Sequence, residues 1–178
     1  MIIHSTRFGD IECPEEKIVK IPSGIIGFPA STRYLILDHD RDVPFKWLQS
    51  LDQEELAFVI VDPIWFKPDY RVTIALDEIV ELGRVDESEL VLFVMLTIPS
   101  DDPSRMTANL RGPVVVNAGT RIAKQLILRD EFPTRAPVLH DVPSLSPSVG
   151  HSISLVQCHR TLDFLQKYAG RIRYNHLI

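Results

Sequence analysis

The apolar residues of this chain gather in short runs rather than at helical intervals. Segments 33–37 (RYLIL), 45–51 (FKWLQSL), 56–61 (LAFVIV), 71–76 (RVTIAL), 90–98 (LVLFVMLTI), 114–116 (VVV) and 122–128 (IAKQLIL) are rich in β-branched and aromatic residues. Gly, Pro, Asp and Asn separate them, which is the punctuation of strands. Phe8-Gly9-Asp10-Ile11 predicts a tight hairpin, with Gly9 supplying positive φ to a two-residue turn. Only 76–83 (LDEIVELG) reads as a helix, with Asp77 as its cap and Gly83 as its end. Helical crossovers are nearly absent, so a doubly wound parallel sheet is disfavoured. The pattern predicts an all-β fold: a small antiparallel β-barrel or roll with one short helix and a C-terminal helical extension.

The texture changes after residue 132. Residues 133–150 (PTRAPVLHDVPSLSPSVG) carry four prolines and read as a linker. Beyond them Leu155, Cys158, Leu162, Leu165, Ala169 and Ile172 recur at spacings of three and four, one apolar stripe on a helix. The expected organisation is a β-barrel body over 1–132, a linker over 133–150 and an amphipathic tail over 151–178. Tethered this closely, the tail is expected to cover outward apolar residues of the 56–61, 91–96 or 114–116 strands.

Charge divides along the same line. The chain has 19 Lys+Arg against 24 Asp+Glu, a net −5. Residues 1–132 hold 14 Lys+Arg and 22 Asp+Glu, a net −8, while 133–178 are net +3 with four of the six histidines. An acidic body repels a phosphate backbone, which argues against direct nucleic-acid binding and for a basic protein partner. No apolar run reaches the ~20 residues that span a bilayer. The first ten residues do not read as a secretory signal, so a cytoplasmic protein with two reduced thiols, Cys13 and Cys158, is expected.

Candidate chemistry is sparse. Asp38, Asp40 and Asp42 take the first, third and fifth places of a calcium loop. Val43 and Gln49 stand where such a loop needs Gly and Glu, so a solvated acidic turn is the better reading. The histidines (4, 39, 140, 151, 159 and 176) show no HExxH, and the cysteines no zinc spacing, so no metal is expected. Neither a GxSxG elbow nor a phosphate-binding glycine loop is present, and no cofactor or catalytic residue is assigned. In TANLRGPVVVN (107–117), Pro113 fixes φ at a strand entrance, and Asn109 and Asn117 can bond turn backbone at either end.

Five blocks taken in order carry a family resemblance: IPSGIIGFP (21–29), FKWLQSLD (45–52), LAFVIVDPIWFKPDY (56–70), TANLRGPVVVN (107–117) and AKQLIL (123–128). Over about residues 1–130 the chain resembles the flagellar assembly factor FliW family. That resemblance implies a cytoplasmic, noncatalytic β-barrel protein with a chaperone-like and translation-regulating role. It would bind flagellin and antagonise CsrA, the RNA-binding repressor of flagellin translation. A small-molecule-binding barrel is the alternative.

Partner contacts are expected in two places. Trp65, Phe66 and Tyr70 lie beside Pro63 and Pro68 in an irregular aromatic loop, and aromatics often anchor interfaces. Segments 58–61, 91–96 and 114–116 are apolar without alternation, so outward-facing residues are either covered or form a groove for a partner helix. Phe58, Asn109 and Asn117 complete the candidate contacts. Gly24, Gly27 and Phe28 are expected to shape a turn that plugs the barrel end.

Overall fold

A computed structural model describes residues 1–38, 43–84, 86–129 and 131–139. Eleven strands form: β1 (Ile2–Ser5), β2 (Gly9–Glu12), β3 (Ile18–Lys20), β4 (Arg33–Asp38), β5 (Phe45–Ser50) and β6 (Ala57–Val61), then β7 (Leu90–Thr97), β8 (Thr107–Ala108), β9 (Val114–Asn117), β10 (Ile122–Gln125) and β11 (Ala136–Pro137). Seven of them close into a barrel in the order β7-β6-β5-β4-β3-β10-β9, with β9 returning to β7. The closure departs from a purely antiparallel barrel at one seam. There β3 and β10 run parallel, joined at Lys20 and Ile122.

Alternation explains the core. Val19, Tyr34, Ile36, Leu48, Phe58, Ile60, Phe93, Met95, Val114, Val116 and Ala123 come from alternate positions on all seven strands and meet in one cluster. That cluster is the barrel interior, filled by side chains as expected for so few strands. The 21–29 loop closes one end. Ile25 is buried within the interior cluster, and Phe28 packs edge-on against Phe58 at 5.5 Å. Gly24 (φ +68°) permits this turn, because a Cβ there would lie 2.6 Å from the Phe28 carbonyl oxygen.

The outer faces are covered in two ways. The β1–β2 hairpin lies over one flank, where Ile3 and Cys13 pack with Leu35, Leu37 and Ile18. Its connection spans three residues, 6–8, rather than two, and Gly9 (φ +70°) opens the second strand instead of sitting in the turn. Burial pushes the Cys13 thiol up from its ordinary pKa. On the other flank, Val61, Val94 and Val115 of β6, β7 and β9 point outward into a second core. Tyr70, Ile79, Leu82, Leu126, Leu128, Ala136 and Val138, from chain segments outside the barrel, complete it.

Several expectations are corrected here. Residues 71–76 form no strand; Val72 and Ile74 pack on the second core while Arg71 and Thr73 face outward. The segment has no ladder partner. The 76–83 helix is two consecutive 3-10 turns, Leu76–Glu78 and Val80–Leu82. Asp77 caps neither, and Ile79 (φ −119°) interrupts them. Eight residues make few of the hydrogen bonds that offset helix nucleation, and 3-10 turns suit such short pieces. Gly83 (φ +80°) does end the segment. The boundary at 132 falls inside the packed body: β11 pairs with β8, and Ala136 and Val138 are buried. Of the apolar strand positions in question, Val61, Val94 and Val115 are covered by 62–84 and 126–139. The helical tail, most of the proline linker, Asp40, Asp42 and Cys158 lie outside the described residues, while Asp38 pairs with Lys46 across β4 and β5.

Candidate protein-docking surface

The 107–117 stretch shows how the wall is braced. β8 and β9 both pair with β7, but their registers differ by three residues. Val94 and Met95 therefore stand opposite a five-residue bulge, 109–113. Asn109 holds the bulge, its Oδ1 accepting from the Arg111 and Gly112 amides at 3.1 and 3.0 Å. Leu110 is fully buried, and its carbonyl accepts the Tyr70 hydroxyl at 2.7 Å. The Tyr70 ring packs against Phe132 at 5.0 Å, and burial pushes its pKa up to about 12.

Asn117 is the counterpart at the other end. It is completely buried; its Nδ2 donates to the Leu82 and Arg84 carbonyls at 3.2 and 2.9 Å. Its Oδ1 accepts from the Gly119 and Thr120 amides at 3.0 and 3.1 Å. One side chain thus ties the 76–84 excursion to the β9–β10 turn. Thr120 Oγ1 adds a bond to Leu82 O at 2.8 Å.

The expected contact residues therefore divide. Tyr70 and Asn117 are buried and brace the fold, and Tyr70 also lines a cleft at the start of β7. Phe58 belongs to the barrel interior, and Asn109 shapes a bulge. Trp65 is half-buried, its ring edge-on to Phe45 at 5.6 Å, and Phe66 packs on the same outer core. The aromatic loop exists, but its rings are spent chiefly on packing.

Two other features meet solvent. Asp62 caps the turn at Pro63–Trp65 by accepting from the Ile64 amide at 3.0 Å, which turns Ile64 outward. Ile64, Val72 and Val91 line a cleft of about 480 Å³ along the start of β7, with Asp62 and Arg71 as its charged members. The second feature is the 76–89 excursion. Leu76 and Val80 are 75% and 73% exposed, although the Ile79 and Leu82 beside them are buried. A regular helix would bring Leu76, Ile79 and Val80 to one face, so the helical reading of this segment concealed both. The interruption at Ile79 frees them. Six carboxylates share this segment with a single arginine, Arg84. Glu81 is paired with Lys124 at 2.9 Å, and hydrogen bonds from Ser88 hold Asp86 below the usual carboxylate range. Among the described residues no His, Cys, Asp and Glu group is arranged to hold a metal, and no helix is long and apolar enough to cross a membrane.

The fold is thus a filled seven-stranded barrel that carries an acidic excursion displaying apolar side chains. Comparison with known proteins sharpens this. The FliW protein family profile matches residues 2–138. A flagellar assembly factor FliW from Natranaerobius thermophilus is 37% identical over 142 residues, covering 79% of this chain and 94% of that protein. One from Thermoanaerobacter pseudethanolicus is 38% identical over 144 residues, covering 80% and 95%. A crystal structure of the flagellar assembly factor FliW aligns with a TM-score of 0.74 at 31% identity, covering 80% of this chain and 99% of that one. The chain belongs to the FliW family of flagellar assembly factors.

Proposed function

We propose that this chain is a noncatalytic, cytoplasmic regulator of flagellum assembly that binds flagellin and antagonises the repressor CsrA, so that flagellin translation follows flagellin secretion. The observation that carries this reading is the family match, which runs through the whole barrel and its C-terminal strap to residue 138. Electrostatics support it. The net −8 over residues 1–132 opposes RNA but attracts the basic surface that an RNA-binding repressor must present. A small-molecule-binding barrel fits less well, because side chains from every strand already fill the interior. Mixing the purified chain with flagellin, and separately with CsrA, tests the reading by size-exclusion chromatography. A co-eluting complex is expected in each case, and release of CsrA from its target RNA in a gel-shift assay. Failure to form either complex overturns it.

A further inference from the structure

The 76–89 excursion exposes more apolar surface than its packing uses. Ile79 and Leu82 anchor it to the outer core, whereas Leu76 and Val80, four residues apart on adjoining turns, stand in solvent. Their presentation is fixed. Asn117 and Thr120 hold the Leu82 and Arg84 carbonyls, and the Lys124 ammonium donates to the Glu78 carbonyl at 2.9 Å. A surface braced in this way loses little entropy when something docks on it. The exposed carboxylates of the same excursion, Asp77, Asp86, Glu87 and Glu89, set the sign of what fits. Glu89 is drawn against the β9–β10 turn, so closely that a Cβ on Gly119 would lie 2.6 Å from its carboxylate.

We propose that this ridge is the docking face for a basic protein partner, with Leu76 and Val80 as the apolar anchors and the carboxylates as the steering rim. The assignment rests on the function proposed above, under which that partner is the RNA-binding repressor. Such a protein carries Lys and Arg to neutralise phosphates, and these match the acidic rim. Apolar anchors at the centre of a patch govern how long a complex lasts, whereas rim charges govern how fast it forms. The two groups of residues therefore separate kinetically.

The test uses the full chain, purified CsrA and purified flagellin, with association and dissociation followed by biolayer interferometry. The double variant Leu76→Ser/Val80→Ser is expected to weaken CsrA binding at least tenfold, mainly through faster dissociation. Asp77→Lys/Glu87→Lys is expected to slow CsrA association at least tenfold and flatten its salt dependence. Flagellin affinity, and CsrA affinity of the cleft variant Ile64→Ser, should stay within twofold. All the substituted positions are exposed, so melting temperatures should hold and report that the variants are folded. CsrA binding unchanged in both ridge variants overturns the proposal. Loss of flagellin with CsrA binding intact overturns it too, since the ridge would then serve the other partner. Tighter CsrA binding by the ridge variants also overturns it, because the ridge would then hold this chain's own basic residues 140–178 and hinder the partner. If the unsubstituted chain binds flagellin but not CsrA, the reading of function fails and takes the ridge assignment with it.

Discussion

The two flanks of the barrel wall solve one problem differently. Over β4 and β5 the cover is local: the N-terminal hairpin folds back and buries a small group around Ile3, Cys13 and Leu35. Over β6, β7 and β9 the cover is assembled from distant parts of the chain, 62–84 and 126–139, and the core beneath it is much larger. Each cover is pinned by one buried amide. On the hairpin side, Gln49 is fully buried; its Oε1 accepts the Ser5 hydroxyl at 2.9 Å. Its Nε2 reaches the Ser50 and Leu56 carbonyls at 2.9 and 3.1 Å. On the other side Asn117 does the same for the 76–84 excursion. A long cover needs more closing entropy than a hairpin, and it returns more buried apolar surface. It also has room to carry surface residues unrelated to packing, which is where Leu76 and Val80 sit.

The largest expected effect comes from cutting the C-terminal strap. Ending the chain after Phe132 removes the buried Ala136 and Val138, together with the bonds from Leu110 N to Pro133 O and from Val138 N to Met106 O. Burial of one valine is worth about 1.5–3 kcal/mol and each hydrogen bond about 1 kcal/mol. A loss of about 4 kcal/mol, or roughly 10 °C in melting temperature, follows. Ending after Leu139 should leave the melting temperature within a few degrees. Equal melting temperatures for the two truncations, by scanning fluorimetry, would show that the strap does not hold this flank.

A smaller effect separates the two pins. Asn117→Ala removes the side chain that pairs both the excursion and the turn, a loss of about 1–3 kcal/mol in all, since Thr120 still serves the Leu82 carbonyl. Gln49→Ala leaves a similar deficit under the hairpin. Urea denaturation should show both losses. Hydrogen exchange should accelerate around 76–84 in the first and around the β1–β2 hairpin in the second. Exchange that rises over the whole chain in either variant would mean that the flanks are not independent.

The smallest effect is confined to alkaline pH. Tyr70 ionises near pH 10 when unfolded and at about 12 in the fold, because burial disfavours the phenolate. Its raised folded value means that its stabilisation is whole below pH 10 and is lost as pH climbs from 10 towards 12. Tyr70→Phe should flatten that decline and lower neutral-pH stability by about 1 kcal/mol, the worth of its bond to Leu110 O. An unchanged alkaline slope in the phenylalanine variant would remove Tyr70 from the account.

Much of the barrel was legible in the residues. The RYLIL, FKWLQS and LAFVIV runs became β4, β5 and β6 because short β-branched and aromatic segments between turn formers leave the chain few other ways to bury them. The family blocks were legible for a similar reason: IPSGIIGFP encodes a turn that needs glycine at positive φ, so its spelling is constrained. Site residues were harder to read. Tyr70 and Asn117 have the composition of interface residues and the surroundings of braces, two settings that composition does not distinguish. IVK (18–20) is β-branched but too short to be read as a strand alone, and nothing in AP (136–137) marks one; β3 and β11 exist because a neighbour supplies the other half of the ladder.

Local chemistry therefore determined which segments are extended, where the turns fall, that the body is acidic and to which family the chain belongs. Tertiary structure alone decided that β3 and β10 meet in parallel to close the ring. It also decided that remote loops bury Val94 and Val115, the outward residues of the non-alternating strands, and that Leu76 and Val80 face water while Ile79 and Leu82 do not. The reason is range. Turn propensity and side-chain alternation act over a few residues, whereas which face of a strand is covered depends on partners dozens of positions away, whose arrival is settled only when the whole core packs at once.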